Sequence, residues 1–390
     1  MILNVYKKEM LDMLRDRKTI LLSVLLPIIF NLLVMFFMTN FLFNDNVDQI
    51  NVAITEADST LIASWVNEIE GANLIPSEDP SAVFLEGDAH IALIFDNQFE
   101  QMLASGETPM IQLQYDPAST RSSSAMDQIY NVLAEQMHGI VASNLAELNL
   151  DHQVIEPFYL VPLTASEENN ETSLFILTIF AQLIIILSIN MGGLSAANDL
   201  VAGEKERKTM EALLMTPVHR LHLVLGKWLT IATLCTISGF FSVATFFLYI
   251  YFVGGELGEA LQIGENIGML SLSLAVGILS FALLMASIYL MISLFSNTIK
   301  EASNYISPIS FLTMIPYFLL IGVSVNELST NYFIIPVMNI FALIKELIYG
   351  VYDITHILLV AGSSAIFVSI LFLIAYKMFM KSKYVLGKAS

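Results

Sequence analysis

The residues best suited to do work lie in one run, Gly203–Lys227, which reads GEKERKTMEALLMTPVHRLHLVLGK. It opens on alternating charge at Glu204, Lys205, Glu206, Arg207 and Lys208 and continues through Thr209, Met210, Glu211, Leu213 and Leu214. Pro217 then ends the helical pattern, because proline lacks the N–H and clashes with the preceding turn. Gly226 and Lys227 close the run just before a long apolar stretch. A short helix with one apolar and one charged face is suited to docking in a groove on a partner protein. The same string also reads as a solvated loop whose basic residues set membrane orientation. The residue types alone leave both readings open.

Other chemistries find less support. A phosphate-binding loop needs glycines that let backbone amides wrap the phosphates, followed by Lys and then Ser or Thr. Gly226-Lys227-Trp228 and Gly387-Lys388-Ala389 lack both the upstream glycine and the hydroxyl, so ATP chemistry is expected from a separate subunit. No H-E-x-x-H zinc motif or G-x-S-x-G nucleophile elbow occurs, which argues against an intramembrane hydrolase. His219 and His222 stand three apart but lack a neighbouring carboxylate or thiol to complete a metal site, and His90, His138 and His152 have no paired spacing. Cys235 is the single cysteine, so no intrachain disulfide forms. A path for a hard cation asks for oxygen ligands, and the apolar stretches offer only neutral ones. Ser188, Asn190 and Ser195 lie in one stretch, with Asn198 and Asp199 just beyond it. Asn31 follows Pro27, and Asn304 and Ser307 sit beside Pro308. These eight residues are candidates for a translocation path, or simply the small polar groups that hold membrane helices together.

The elements that must position these residues are apolar stretches. A hydrophobic content of 56% and a mean hydropathy of +0.69 exceed what a soluble domain carries. Six runs approach or exceed the ~20 residues needed to cross a bilayer: Ile20–Phe43, Leu174–Ala197, Trp228–Val253, Ile267–Phe295, Ala302–Val323 and Ile354–Tyr376. The first is too long for a signal peptide and reads as a permanent helix. Of the 17 Lys and Arg residues, all but Arg121 and Lys345 fall on one side of these spans, which predicts both termini and the 198–227 loop in the cytosol. Met1–Thr19 sets Leu3, Tyr6, Met10, Met13 and Leu14 against Lys7, Lys8, Arg15 and Lys18, the pattern of an amphipathic helix lying in the interface. Gly254–Asn266 and Ser296–Glu301 read as short connections. The apolar stretch Tyr332–Tyr349, interrupted by Pro336, Asn339, Lys345 and Glu346, is expected as a re-entrant or outer-leaflet helix within the outer segment 324–353. A seventh crossing would put the basic tail 377–390 outside.

The formal net charge of −19 belongs almost wholly to one segment. Residues 44–172 hold 22 Asp and Glu against Arg121, a net −21, while the rest of the chain carries 14 acids and 16 bases, a net +2. Such a field concentrates cations and repels anions, so nucleic acid is not an expected partner. It serves equally well as a solubilising surface in a saline or alkaline medium. Within this segment, strands are expected at Ile50–Thr55, His90–Phe95 and Met110–Tyr115. Helices are expected at Thr60–Ile69, Pro80–Glu86, Phe99–Ser105 and Ser122–Leu148, with Val154–Leu163 extended. Strands alternating with helices predict a small α/β domain.

The loop carries a resemblance. Glu204-Lys205-Glu206, Thr209, Glu211, Leu213-Leu214, Pro217 and Gly226-Lys227 look like the coupling-helix signature of ABC-2 type permeases, in which Gly often stands where this chain has Lys208, and Arg207 would join them in coupling to the ATPase. The α/β insertion resembles the NatB-type subgroup, whose named members extrude sodium. The resemblance implies an α-helical integral membrane protein of type V exporter-like architecture. It would have six transmembrane helices and an extracytoplasmic α/β domain inserted between the first two. It further implies a permease in a bacterial cell membrane that pairs with a second copy and with two cytosolic ABC ATPase subunits. Those subunits would hold ATP and Mg2+, and Na+ would be the cargo. A drug, lipid or antimicrobial peptide is an alternative cargo. A sensory or scaffold protein with a ligand-binding outer domain is the reading from another class.

Overall fold

The computed structural model describes residues 1–41, 50–55, 60–69, 71–95, 98–116, 119–148, 171–253 and 267–385. The expected extended segment Val154–Leu163 and connection Gly254–Asn266 lie outside the described residues. The chain divides into two compact units, Met1–Thr39 with Ala165–Ser390, and Asn40–Thr164.

The first unit opens with α1 (Ile2–Arg15), whose buried residues include Met13 on its apolar face. Arg17–Ile20, a π-helical turn Leu21–Leu25 and Leu26–Phe41 follow as one rod, α2.

The second unit is a four-stranded sheet with helices on it. In chain order it comprises β1 (Ile50–Thr55), α3 (Thr60–Val66), β2 (Ala72–Ser77) and α4 (Pro80–Glu86), then β3 (Ile91–Phe95), α5 (Phe99–Ala104), β4 (Ile111–Gln114) and α6 (Thr120–Glu147). The strand order is β2-β1-β3-β4, parallel across the first three, with β4 antiparallel. Alternation sends Ile50, Val52 and Ile54 with Ile91, Leu93 and Phe95 to one face, against Ile62, Trp65, Val66, Phe99 and Ile129. Ala53 and Ala92 face the other way, under Val83 and Phe84 of α4. Strand β2 was not expected, because ANLIPS contains Pro76 and reads as a loop. It lies at the sheet edge, where a missing N–H is tolerated.

The first unit resumes with α7 (Glu171–Ala197), which runs on through a second π-helical turn, Asn198–Gly203, into Glu204–Glu206. Then come α8 (Thr209–Leu214), α9 (Arg220–Val253) and α10 (Ile267–Phe295). Helices α11 (Ile299–Leu312), α12 (Ile315–Leu320), α13 (Thr330–Ile334) and α14 (Met338–Ile348) precede α15 (Ile354–Met380) and α16 (Ser382–Val385). Helix α9 lies along α7, α10 and α1, and α10 lies along α15 and α14. The α7–α9 contact is close because Gly192 leaves room: a Cβ there would stand 2.5 Å from that of Ser238.

Among the described residues, four helices are long and apolar enough to cross a membrane: Ser173–Glu206, Arg220–Val253, Gly268–Phe295 and Ile354–Met380. Leu21–Phe37 is a shorter apolar helix. The fifth expected span, Ala302–Val323, is not one helix. Pro316 cannot donate to the carbonyl of Leu312, and α11 ends at that residue before α12 begins. The stretch Tyr332–Tyr349 is likewise two helices, α13 and α14. Asn339 through Leu347 of α14 are buried, against α10, α7 and α15.

Candidate functional site: a clamped loop helix

The loop after α7 is built by a backbone reversal at Lys208. Its φ of 59° and ψ of 19° place it in the left-handed region, so Glu204–Glu206 and α8 are separate helical turns. Glycine adopts that conformation at no steric cost, whereas an L side chain does so with strain. Here lies the reason for glycine at the matching place in the resembling loops.

Of the charged string before α8, Lys205 is buried and Glu204 half-buried, while Glu206, Arg207 and Lys208 stay exposed. Lys205 is buried and donates to the carbonyls of Leu294 and Ser296, at 2.9 Å for the latter, where α10 ends. A cation at a helix C-terminus satisfies orphan carbonyls and favours the helix dipole. Glu206 accepts from the backbone N–H of Ile299 at 2.8 Å, where α11 begins. An anion at a helix N-terminus is the mirror case. Arg207 donates to Asp199 at 2.7 Å, and that hydrogen bond raises the guanidinium above its ordinary pKa. Ser293 of α10 accepts from the N–H of Ala202 at 3.1 Å and ties down the π-helical turn.

Glu204 makes the deepest contact. It accepts from Lys227 at 2.7 Å, and Lys227 also donates to Glu9 of α1 at 3.0 Å and to the carbonyl of Leu200 at 2.8 Å. All three ammonium hydrogens are used. The Lys227 side chain is 0% exposed and that of Glu9 is 2% exposed. Lys8 flanks the cluster, 3.4 Å from Glu9 and 3.9 Å from Glu204. Gly226 makes the approach possible, since a Cβ there would stand 2.5 Å from Cγ1 of Val5 on α1. The pair Gly226-Lys227 thus seats α1 on α9 sterically and electrostatically. Glu9 was missing from the sequence-derived set. Its position among lysines on an amphipathic helix gave no sign that it turns inward.

The outward side of the loop is small. Lys208, Thr209, Glu211, Ala212, Met215, Thr216 and Pro217 are exposed, Leu213 and Leu214 are half-buried, and Met210 is buried. Met215, at 89% exposed, is the apolar knob of this surface and was also missing from the sequence-derived set. His219 and His222 stack edge-on at 5.8 Å, and no metal-holding group of three or more acidic, His or Cys residues occurs among the described residues.

The candidate path residues fall into three places. Asn31 donates to Ser242 at 2.9 Å and accepts from Ser188 at 3.1 Å, in a buried knot joining α2, α7 and α9. Asn190 donates to Thr313 at 3.1 Å and accepts from Tyr289 at 2.9 Å, and Tyr289 pairs with Ser310 at 2.9 Å, beside the α11–α12 break. These groups satisfy one another, as helix-joining polar residues do. Asn304 and Ser307 are exposed on α11. Ser195, Asn198 and Asp199 line a cleft of about 420 Å3 with Asp16, Thr19 and Ser303. Sequence reasoning did not connect α14 to this interior. Lys345 is 3% exposed and donates to the carbonyls of Leu320 and Val323 beyond α12. Glu346 is 4% exposed and bonds His356 at 2.8 Å, whose ring stacks on Phe333 at 3.9 Å.

Two outcomes are expected. Lys227→Met leaves Glu9 and Glu204 buried without their cation and should cost about 3–5 kcal/mol, read as a fall in unfolding midpoint. An unchanged midpoint would show that the cluster is not buried as described. Lys208→Gly removes left-handed strain of about 1–2 kcal/mol and should raise the midpoint, whereas a lower one would contradict the φ assignment.

Comparison with known proteins agrees over the whole length. Residues 3–384 match the family model described as ABC-2 family transporter protein. The chain is 34% identical over 388 residues to ABC transporter permease protein NatB of Bacillus subtilis (strain 168), with 100% of both chains covered. No solved structure matches. A family match that spans both the membrane helices and the clamped loop implies an ATPase partner and a membrane setting, and the chain belongs to the ABC-2 family of transporter permeases.

Proposed function

We propose that this chain is the permease subunit of an ATP-driven exporter that moves sodium ions out of a bacterial cell. The observation that carries the export reading is the anchoring of α8. Through Glu204, Lys205, Glu206 and Arg207 the segment before it is tied to α9 and α1, the end of α10, the start of α11 and the end of α7. A push on α8 from an ATPase would therefore reach every one of these helices. Met215 would be the contact, its flexible thioether suited to a partner's groove. Basic-residue asymmetry supports a cytosolic place for this loop and for both termini.

Two permease copies with two ATPase subunits would complete the machine. The polar residues Asn304 and Ser307, exposed on α11, would face the second copy rather than lipid. The sodium cargo rests on the resemblance of the loop and the insertion to NatB-type permeases. The acidic segment 44–172, net −21, is consistent with a cation exit. The coordinating groups within the spans would be neutral side-chain and backbone oxygens. An amphipathic organic cargo is the second reading, favoured by the absence of Asp, Glu, Lys and Arg from the six apolar stretches.

Proteoliposomes holding this chain and its ATPase subunit should show ATP-dependent sodium efflux. Met215→Asp should reduce that efflux about tenfold while leaving the unfolding midpoint unchanged, as loss of a buried apolar anchor does at an interface. Full efflux by the variant would remove Met215 from the coupling surface. ATP hydrolysis without sodium movement would pass the cargo assignment to an amphipathic molecule.

A further inference from the structure

The cleft between α2, α7 and α11 has a lining unlike the rest of the bundle. Its polar wall is Asp16, Thr19, Ser195, Asn198, Asp199 and Ser303, and its remaining wall is Leu, Met and Ile. Among the described residues no Lys, Arg, His or Cys lines it, and Arg207 reaches its edge through Asp199. At about 420 Å3 it holds roughly a dozen waters, enough for a partly hydrated ion.

Two further observations set it apart. Among the described residues the Asn198 amide oxygen is one of four buried side-chain atoms without a hydrogen-bond partner, with Ser23 Oγ, Glu204 Oε2 and His222 Nδ1, in contrast to the satisfied amides of Asn31 and Asn190. A buried acceptor left unpaired costs about 1–3 kcal/mol, a cost that a bound ligand would offset. The two π-helical segments among the described residues, Leu21–Leu25 and Asn198–Gly203, both contribute residues to or adjoin this cleft. π-Helical turns widen a helix, loosen its carbonyls and recur at functional sites.

We infer that this cleft is a binding vestibule for a small hard monovalent cation, held by the Asp16 and Asp199 carboxylates, the Asn198 amide oxygen and the Thr19 and Ser195 hydroxyls. Oxygen donors without imidazole or thiolate select hard cations over transition metals. The vestibule rests on the cation-export reading and gives that reading a loading site at the loop end of the bundle. Thr19 already orients the wall, donating to Asp16 at 2.8 Å and pairing with Ser195 at 3.2 Å. Asp199 is shared with Arg207, which stands at the start of the loop helix. A cation and the guanidinium compete for one carboxylate. Cation binding therefore weakens a clamp on α8, and by linkage a displaced α8 strengthens cation binding.

The test is equilibrium binding of radiolabelled sodium to the permease–ATPase complex in nanodiscs without ATP, with potassium as competitor. The double variant Asp16→Asn, Asn198→Ala should bind sodium about tenfold more weakly, since affinity follows ligand charge and number. Arg207→Gln frees Asp199 and should bind more tightly than wild type, an effect that misfolding does not produce. Wild-type binding that neither change alters would overturn the vestibule and leave sodium export standing. A wild-type complex that binds no sodium would overturn both. Equal displacement by potassium at matched concentration would keep the site but remove its selectivity from the cleft.

Discussion

A lysine with no exposed side-chain surface governs the loop end of this molecule. Lys227 lies at the start of a long apolar helix, where an unpaired ammonium would be prohibitively costly, so the chain must bring carboxylates to it. They come from two distant segments, Glu9 on the N-terminal helix and Glu204 at the end of α7. That demand seats α1 on α9 and fixes where α7 ends. It also delivers Lys205, Glu206 and Arg207 to the carbonyls, amide and carboxylate that they meet. The loop is thus held by helix-end electrostatics and one buried cluster, with little apolar area of its own.

This construction would let a six-residue helix serve as the proposed mechanical contact. A helix so short has almost no intrinsic stability and takes its position from what surrounds it. Its anchors are ionic and directional, so they would pass a displacement of α8 to the helices they hold. The interior polar groups divide by the same logic. Asn31 and Asn190 are saturated and bind helices together, whereas the cleft holding Asn198 keeps an acceptor unused. Saturated groups hold the bundle, and an unsaturated one such as the Asn198 amide oxygen is where a ligand would gain most.

Much of this was legible in the sequence. Long apolar runs announce membrane helices because no other composition survives in lipid, and β1 and β3 read clearly from their β-branched and apolar residues. The loop motif was visible as a string, but charge type does not reveal direction. Glu204, Lys205 and Glu206 look like a solvated run, yet they serve helix ends that are 90 residues away in sequence or touch Lys227. The fifth apolar stretch looked continuous because hydropathy ignores the lost Leu312–Pro316 bond. Lys345 and Glu346 read only as interruptions of an apolar stretch, because their partners, the carbonyls of Leu320 and Val323 and the ring of His356, come from separate elements. Lys208 showed its strain only in backbone geometry.

If the Lys227 cluster couples the loop to α1 as proposed, α8 and α1 move as one body. Spin labels at Leu11→Cys and Thr216→Cys, both on exposed positions, report the separation of these helices by pulsed electron resonance in the assembled complex. Rigid transmission leaves that separation unchanged when ATP binds and broadens it when Lys227→Met is added. A separation that shifts on ATP binding in the wild-type cluster would mean that α8 moves independently, and that force leaves the loop by another route.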